Sequence, residues 1–412
     1  MPRVAYAFGE ASNALNLLLF VVLARLLGVA PYGQFVAIIA ASGILAAVSE
    51  FGFHSLLTRS VARDPASAWA ELRHALSRQL LLGVPMLVLL YAYLRAASLP
   101  NEAQVAGLLI GASVWVKSLK ETVRGVCRGL QRFGLEALFL WTERAALLLI
   151  AALALWAGGG IVALAVVFLA VRLVDFTVFF AAVRRALVPA VGGTRRASAS
   201  YLAALPFAIS NLMVIMYYQV DTTLLSLLST AYDTGVYGAI YRFVDITQVI
   251  PRLLIVVSYP VMAVAWLRDR AGFYRMLHLL QRLLTCVALP VLFVIIMWSE
   301  ELLRLFFGAD YAVGAAALRF IMLGSYFAFH SSLYAQVLQA SGHERLLATG
   351  LAATVGVKIS LNVLLIPRYG FLGSAIATLA TEVVYVTVLG MIAHRRRATD
   401  SHPVDATEII GM

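Results

Sequence analysis

Polar residues recur at helical spacing inside several long apolar stretches of this sequence. The clearest set, spaced four, three and four residues apart, consists of Tyr241, Asp245, Gln248 and Arg252. This spacing places the four side chains on one face of a helix. A charged side chain near the centre of a bilayer costs about 2.5–3.5 kcal/mol on insertion scales, so it usually faces protein or water. The set therefore predicts a wet cavity or, alternatively, a structural ion pair in which Arg242 contacts Asp245.

Other apolar stretches carry polar faces of the same kind. The three sets are Ser210, Tyr217 and Asp221; Thr354, Lys358 and Asn362; and Tyr326, His330 and Tyr334. The aromatic set around His330 could stack against sugar rings, although such stripes more often pack helices together. Glu382 lies within another apolar stretch and has no obvious local partner. The acidic residues Asp221, Asp245 and Glu382 are the candidates for coupling to a proton or sodium ion.

The basic residues in these stretches are candidates for binding an anion. Lys358 and Arg252 have no carboxylate one turn away, so we expect both to face an anionic ligand in a basic cavity. Arg25 lies near one end of the first stretch, where a guanidinium can also reach lipid phosphates. Tyr241, Gln248, Asn362 and His330 complete the predicted binding set. Arg172 and Asp175 are close enough to neutralise one another, which favours a structural role.

The composition identifies lipid as the main solvent of the chain. Of the 412 residues, 62% are hydrophobic and 13% are charged, with a mean hydropathy of +0.89. Soluble domains are about 45–50% apolar and about 25% charged. The net charge of +11 comes from short basic clusters between apolar runs, which is typical of cytoplasmic loops rather than of nucleic-acid binding.

We predict an all-α membrane protein with about twelve transmembrane helices. Apolar runs of sufficient length cover residues 4–28, 34–56, 76–95, 103–123, 137–157, 160–183, 201–228, 235–265, 278–298, 314–338, 347–366 and 370–392. Prolines at 206, 251, 260 and 290 offer places to bend. The stretch 398–412 is expected to be a disordered tail.

Basic residues concentrate in the loops after even-numbered spans. Those loops carry Arg59, Arg63, Arg73 and Arg78; Lys117, Lys120, Arg124, Arg128 and Arg132; Arg184, Arg185, Arg195 and Arg196; Arg268, Arg270, Arg275 and Arg282; and Arg395, Arg396 and Arg397. The intervening loops have few bases. This alternation predicts that both termini are cytoplasmic.

Catalysis in water is not indicated by the sequence. It contains no zinc-ligand spacing, no glycine loop for phosphate and no Ser/His/Asp set that can be placed, and its loops are short. We therefore expect a protein that is not an enzyme and needs no cofactor or metal. Cys127 and Cys286 fit no metal or redox motif, so reduced thiols are expected.

The chain also repeats itself in one direction. The segment 23–33 is similar in sequence to the segment 224–238, and the segment 129–134 is similar to the segment 337–342. Equivalent points are six spans apart, which predicts a six-helix bundle at 1–190 and a second at 191–397, related by a parallel repeat. In such folds the binding site lies between the bundles.

Four segments resemble a known family when they are taken in order. These are LARLLGVAPYGQF at 23–35, VDTTLLSLLSTAYDTGVYGAIYRF at 220–243, LLRLFFGADYAVGAAALRFIMLG at 302–324, and LQASGHERLLATG with LNVLLIPRYGFLGSAIAT between 338 and 378. They resemble the polysaccharide-transporter branch of the multidrug/oligosaccharidyl-lipid/polysaccharide (MOP) exporter superfamily. The resemblance implies a MATE-like fold.

The resemblance implies a flippase of the bacterial cytoplasmic membrane for an undecaprenyl-pyrophosphate oligosaccharide. Its partners would be an anionic lipid-linked glycan, the bilayer and either a proton or sodium, with no nucleic acid, and the protein is expected to be a monomer. A cation-coupled drug exporter of the same superfamily is the alternative, and it would suit the acidic residues better than the bases. A membrane glycosyltransferase or polymerase fits less well, because no large outer loop is present.

Overall fold

The computed structural model describes residues 11–187 and 200–399, and all regular structure in these ranges is helical. The N-terminal part contains α1 (Asn13–Leu27), α2 (Val29–Glu50), α3 (Phe53–Arg63), α4 (Ala68–Ala96), α5 (Asn101–Gly129), α6 (Phe133–Trp156) and α7 (Ile161–Leu187). The C-terminal part contains α8 (Tyr201–Leu228), α9 (Ala231–Thr247), α10 (Val249–Arg268), α11 (Arg270–Met297), α12 (Ser299–Phe306), α13 (Ala315–Ala340) and α14 (Glu344–Thr399).

Eight of the described helical segments are long and apolar enough to cross a membrane. One of them, Arg345–Ala393, contains two of the predicted spans, because α14 is kinked at Gly370 (φ 54°, ψ −133°). The other three predicted spans correspond to the 15-residue α1, to α5 with its charged second half, and to the pair α9 and α10. The all-α membrane class is confirmed, whereas length and hydropathy alone support fewer spans than the predicted twelve.

The break between α9 and α10 falls inside the predicted eighth span. Helix α9 ends at Thr247, and α10 begins at Val249. Pro251 is the third residue of α10, where a missing N–H removes no intrahelical hydrogen bond. The bend predicted near Pro251 corresponds to this break. Pro206 lies inside α8, which continues through it.

Helix α5 is the central helix of the N-terminal part, and it corrects the placement of several bases. It packs against α2, α3, α4 and α7. Because α5 runs to Gly129, the bases Lys117, Lys120, Arg124 and Arg128 lie on this helix and not in the loop after it. Close packing depends on Gly125, where an added Cβ would lie 2.4 Å from the His54 carbonyl oxygen.

The two parts of the chain share one large apolar core. Leu23 and Phe35 in the first part and Tyr237 and Tyr311 in the second belong to the same buried cluster. Helix α2 packs against both α8 and α9, so the repeated segments 23–33 and 224–238 meet at this interface. The predicted boundary between residues 190 and 191 lies outside the described residues, as do Arg195, Arg196 and the tail from residue 400, so the two-bundle division stays a prediction.

Candidate functional site

Four polar side chains converge on Asp221, which is fully buried on α8. Its Oδ2 lies 2.7 Å from Nζ of Lys358 and accepts hydrogen bonds from Tyr237 Oη at 3.1 Å and Thr378 Oγ1 at 3.0 Å. Its Oδ1 accepts a hydrogen bond from Asn362 Nδ2 at 2.8 Å. Both carboxylate oxygens therefore accept from donors on α9 and on the two legs of α14, which are the segments before and after the kink at Gly370.

The kink in α14 builds this network. It folds the second leg of the helix back, so that Ser374 donates to Asn362 Oδ1 at 2.9 Å and Thr378 reaches Asp221. The Lys358 ammonium also donates to the Tyr217 carbonyl at 2.8 Å. No carboxylate lies one turn from Lys358, but α8 supplies one across the helix interface, so the expectation that Lys358 faces an anionic ligand is not supported in this conformation. With 1% exposure, Lys358 does not present its charge to a ligand in this conformation.

Glu382 borders the same network. It is buried on the second leg of α14, and its Oε1 accepts a hydrogen bond from the Tyr217 hydroxyl. Its Oε2 has no hydrogen-bond partner within the described part of the chain. The sequence showed no local partner for Glu382 because the partner lies on α8, far away along the chain.

The polar face of α9 divides into buried and exposed parts. Arg242 Nη1 lies 2.8 Å from Asp245 Oδ2, which confirms the predicted pair, and the Arg242 guanidinium lies 4.1 Å from the ring centre of Phe20 on α1. Tyr241 is buried, Gln248 is half-buried at the helix break, and Arg252 is exposed on α10. The predicted stripe is thus not continuous, because the break at Gln248 separates Arg252 from the other members.

Arg25 and His330 have structural contacts. Arg25 Nε donates to the Phe306 carbonyl at 2.7 Å, and its Nη2 donates to the Leu305 carbonyl. These carbonyls end α12, so Arg25 caps that helix; the expectation that it reaches lipid phosphates or binds the substrate is not supported in this conformation. His330 Nε2 lies 3.3 Å from Thr285 Oγ1 and packs against Tyr326, which agrees with the packing interpretation.

A second buried charge network lies in the N-terminal part, in a region that the sequence predicted to be a basic loop. Lys120 Nζ lies 2.7 Å from Glu143 Oε2 and 2.5 Å from Asp175 Oδ2. Arg172 lies 3.5 Å from Glu143 Oε1 and donates to Ser113 Oγ at 3.0 Å. The ion pairs of Arg172 and Asp175 are therefore with residues of α5 and α6, while the two charges also lie within electrostatic reach of each other, which agrees with the structural role expected for them.

The network extends along α5. Glu136 Oε1 lies 2.5 Å from Arg124 Nη2 and 2.9 Å from Arg128 Nη2, and Arg124 also pairs with Glu121. The helical spacing of these bases, three or four residues apart, is the signal that could have revealed this network in the sequence. It places them along one face of a helix, whereas loop residues need no such periodicity.

Comparisons with known proteins agree with this architecture. The family described as polysaccharide biosynthesis protein matches residues 7–266, and the MatE family matches residues 206–364. No curated protein matches the chain.

Several solved structures share the fold. An inward-facing multidrug resistance MATE family transporter is 16% identical, with a TM-score of 0.77 over 98% of this chain and 100% of that chain. The lipid II flippase MurJ, in an inward closed conformation, is 16% identical, with a TM-score of 0.75 over 99% of this chain and 95% of that chain. A MOP superfamily transporter from Pyrococcus furiosus is 16% identical, with a TM-score of 0.68 over 97% of this chain and 95% of that chain.

The helical fold, its membrane-spanning segments and these matches define a transporter of the MOP exporter superfamily. Within it, the chain belongs to the polysaccharide biosynthesis protein family, whose match extends over more than half of its length.

Proposed function

We propose that this protein is a flippase that moves a lipid-linked oligosaccharide, held through a polyprenyl diphosphate, from the cytoplasmic to the outer leaflet of a bacterial cytoplasmic membrane. The observation that carries the proposal is the polysaccharide biosynthesis match over residues 7–266, which extends from α1 into α10. The shared fold of the lipid II flippase MurJ supports it.

The chemistry of such a substrate requires a polar route through the bilayer. A diphosphate headgroup and its sugars cannot cross the hydrocarbon without protein or water around them, because each charge is costly there. This protein keeps charged networks inside both parts of the chain, around Lys120 and around Asp221. Alternating access, in which the two parts rock against each other at the interface of α2 with α8 and α9, would carry the headgroup past them.

A cation-coupled drug exporter is the second candidate, and the MatE match at 206–364 favours it. Two observations weigh against it. The MatE match covers less of the chain than the polysaccharide biosynthesis match. Asp221, the acid best placed for binding a coupling ion, is already neutralised by Lys358.

Reconstituted full-length protein tests the two functions directly. Proteoliposomes carrying a fluorescent polyprenyl-diphosphate oligosaccharide are treated with a membrane-impermeant quencher, and protein-free liposomes serve as the control. We expect the protected fraction to become accessible only when the protein is present. Efflux of a cationic dye by the same preparation, without movement of the lipid-linked glycan, would replace the flippase with the exporter.

A further inference from the structure

Lys117 is the one exposed residue between positions 106 and 129 of α5. The helix has 29 residues with its midpoint at Trp115, so Lys117 lies about 3 Å along the axis from the centre. Between these positions the helix is thus exposed only at Lys117, near the middle of its length.

The surroundings of Lys117 are protein and not lipid. Helix α5 packs against α2, α3, α4 and α7, and Ser113 and Lys120, each about one turn from Lys117, are buried in that packing. Lys117 lies within electrostatic reach of Arg172, Glu143, Glu121 and Arg144. Charged groups cluster around water or a polar ligand inside a membrane protein rather than around hydrocarbon. The opening at Lys117 therefore faces the polar interior.

The charges beside Lys117 are already paired with one another. The charge networks on α5, α6 and α7 contain four bases and four acids, most of them buried, namely Lys120, Arg124, Arg128 and Arg172 with Glu121, Glu136, Glu143 and Asp175. Arg144 on α6 is a further base within reach and donates to Ser12 Oγ, whereas Lys117 has no hydrogen bond or ion pair with any residue in 11–187 or 200–399. Its ammonium, with three N–H donors, is available to a ligand.

We propose that Lys117 binds the diphosphate group of the lipid-linked substrate midway across the membrane. This rests on the proposed flippase function and assigns the anion site to the N-terminal part of the chain, away from Lys358. A compact ammonium suits a phosphate oxygen as a point charge. The surrounding ion pairs hold the neighbouring charges in place, so the ligand is the partner that neutralises Lys117.

Binding to the purified full-length protein in nanodiscs tests the assignment. The probes are undecaprenyl diphosphate, undecaprenyl monophosphate, inorganic pyrophosphate and neutral undecaprenol, with phosphatidylglycerol in the nanodisc as a competing anion. The variants are Lys117→Gln, which removes the charge, and Lys117→Arg, which keeps it. Arg275→Gln is the matched control, because it removes one base from an exposed pair with Asp269.

We expect Lys117→Gln to weaken undecaprenyl diphosphate binding about ten- to a hundred-fold, which is the range for one hydrogen bond to a charged group. Lys117→Arg and Arg275→Gln should stay within about threefold of the wild type. Wild-type affinity in Lys117→Gln would overturn the assignment and leave the flippase function intact. No binding of undecaprenyl diphosphate by the wild type would instead count against the function itself. Equal displacement by inorganic pyrophosphate or phosphatidylglycerol would show a general anion site and overturn the lipid-diphosphate assignment.

A labelling measurement covers the case in which Lys117→Gln does not fold. Lys117→Cys in a Cys286→Ser background leaves Cys127, which is buried, as the other thiol. A cationic thiol reagent should modify the new cysteine, and undecaprenyl diphosphate should protect it, whereas undecaprenol should not. Modification that the diphosphate does not slow would contradict the proposal.

Discussion

Gly33 of α2 and Gly235 of α9 lie against each other at the interface between the two parts of the chain. A Cβ on Gly33 would lie 1.8 Å from the Ala231 carbonyl oxygen and 2.7 Å from the Gly235 nitrogen, and a Cβ on Gly235 would lie 2.1 Å from the Val29 carbonyl oxygen. Nearby, the Tyr311 hydroxyl donates to the Ala24 carbonyl at 3.1 Å. The two helices approach through their backbones, which only glycine permits.

The first prediction concerns this contact. Gly33→Val places side-chain atoms where backbone atoms of α9 now lie, so α2 and α9 must separate. We expect flipping to be lost while the protein still reaches the membrane. Gly43→Val is the control on the same helix, because a Cβ at Gly43 meets no atom within 4 Å. The quencher assay measures both, and normal flipping by Gly33→Val would show that this contact is not required.

The second prediction concerns the buried pair of Lys358 and Asp221. Removing one partner leaves an uncompensated buried charge, so Lys358→Met or Asp221→Asn alone should reduce the free energy of unfolding by about 3–5 kcal/mol. The double variant should recover part of this loss. Denaturation in detergent measures the cycle, with Arg275→Gln in an exposed pair expected to change stability by less than about 1 kcal/mol. Additive losses in the double variant would argue against direct coupling.

The third prediction concerns sodium. Both Asp221 oxygens accept N–H or O–H donors, and Lys358 supplies the compensating positive charge. A metal cation at Asp221 would face these donors and the ammonium. We therefore expect flipping by the wild type at the same rate with sodium or with choline as the only cation outside and inside. Stimulation by sodium that disappears in Asp221→Asn would restore the ion-coupling role first expected for this residue.

The fourth prediction concerns Glu382 as a proton carrier. One of its oxygens is bonded by Tyr217, and the other has no hydrogen-bond partner among the described residues, so the carboxyl can gain or lose a proton without breaking the Asp221 network. We expect a pH gradient to accelerate flipping by the wild type and to have no effect on Glu382→Gln. Tyr217→Phe, which keeps the carboxyl, should retain the response. A pH response in Glu382→Gln would exclude this carboxyl as the carrier.

The fifth prediction concerns the membrane potential. A diphosphate headgroup carries about two negative charges, and its outward movement from a negative cytoplasm is downhill by roughly 4–5 kcal/mol at 100 mV. Pairing of Lys358 with Asp221 leaves no net charge at that site to travel with the ligand. The full figure applies when Lys117 stays in place, since a lysine that moved with the diphosphate would cancel one of its two charges. Liposomes with a valinomycin-imposed potential and no ion gradient should therefore flip the substrate faster when the potential has the cellular sign. An unchanged rate would assign the driving force to an ion gradient.

The sequence was sufficient for the class of fold. Apolar runs of about 20 residues fix where helices must form, since lipid leaves backbone groups no other partners. It also singled out four members of the buried network around Asp221, namely Asp221 itself, Lys358, Asn362 and Glu382. The sequence is sufficient for this because the spacing of residues within one helix depends only on neighbouring positions in the chain.

The partners of these residues were decided by the tertiary structure alone. Lys358 lies far from Asp221 along the chain, and a kink at Gly370 is needed to bring Thr378 to the same carboxylate. In the N-terminal part, Lys117 and Lys120 are three residues apart, yet one is exposed and the other is 3% exposed and paired. Sequence determines which face of a helix a charge occupies. Whether that charge is neutralised or left for a ligand depends on which helices pack against that face.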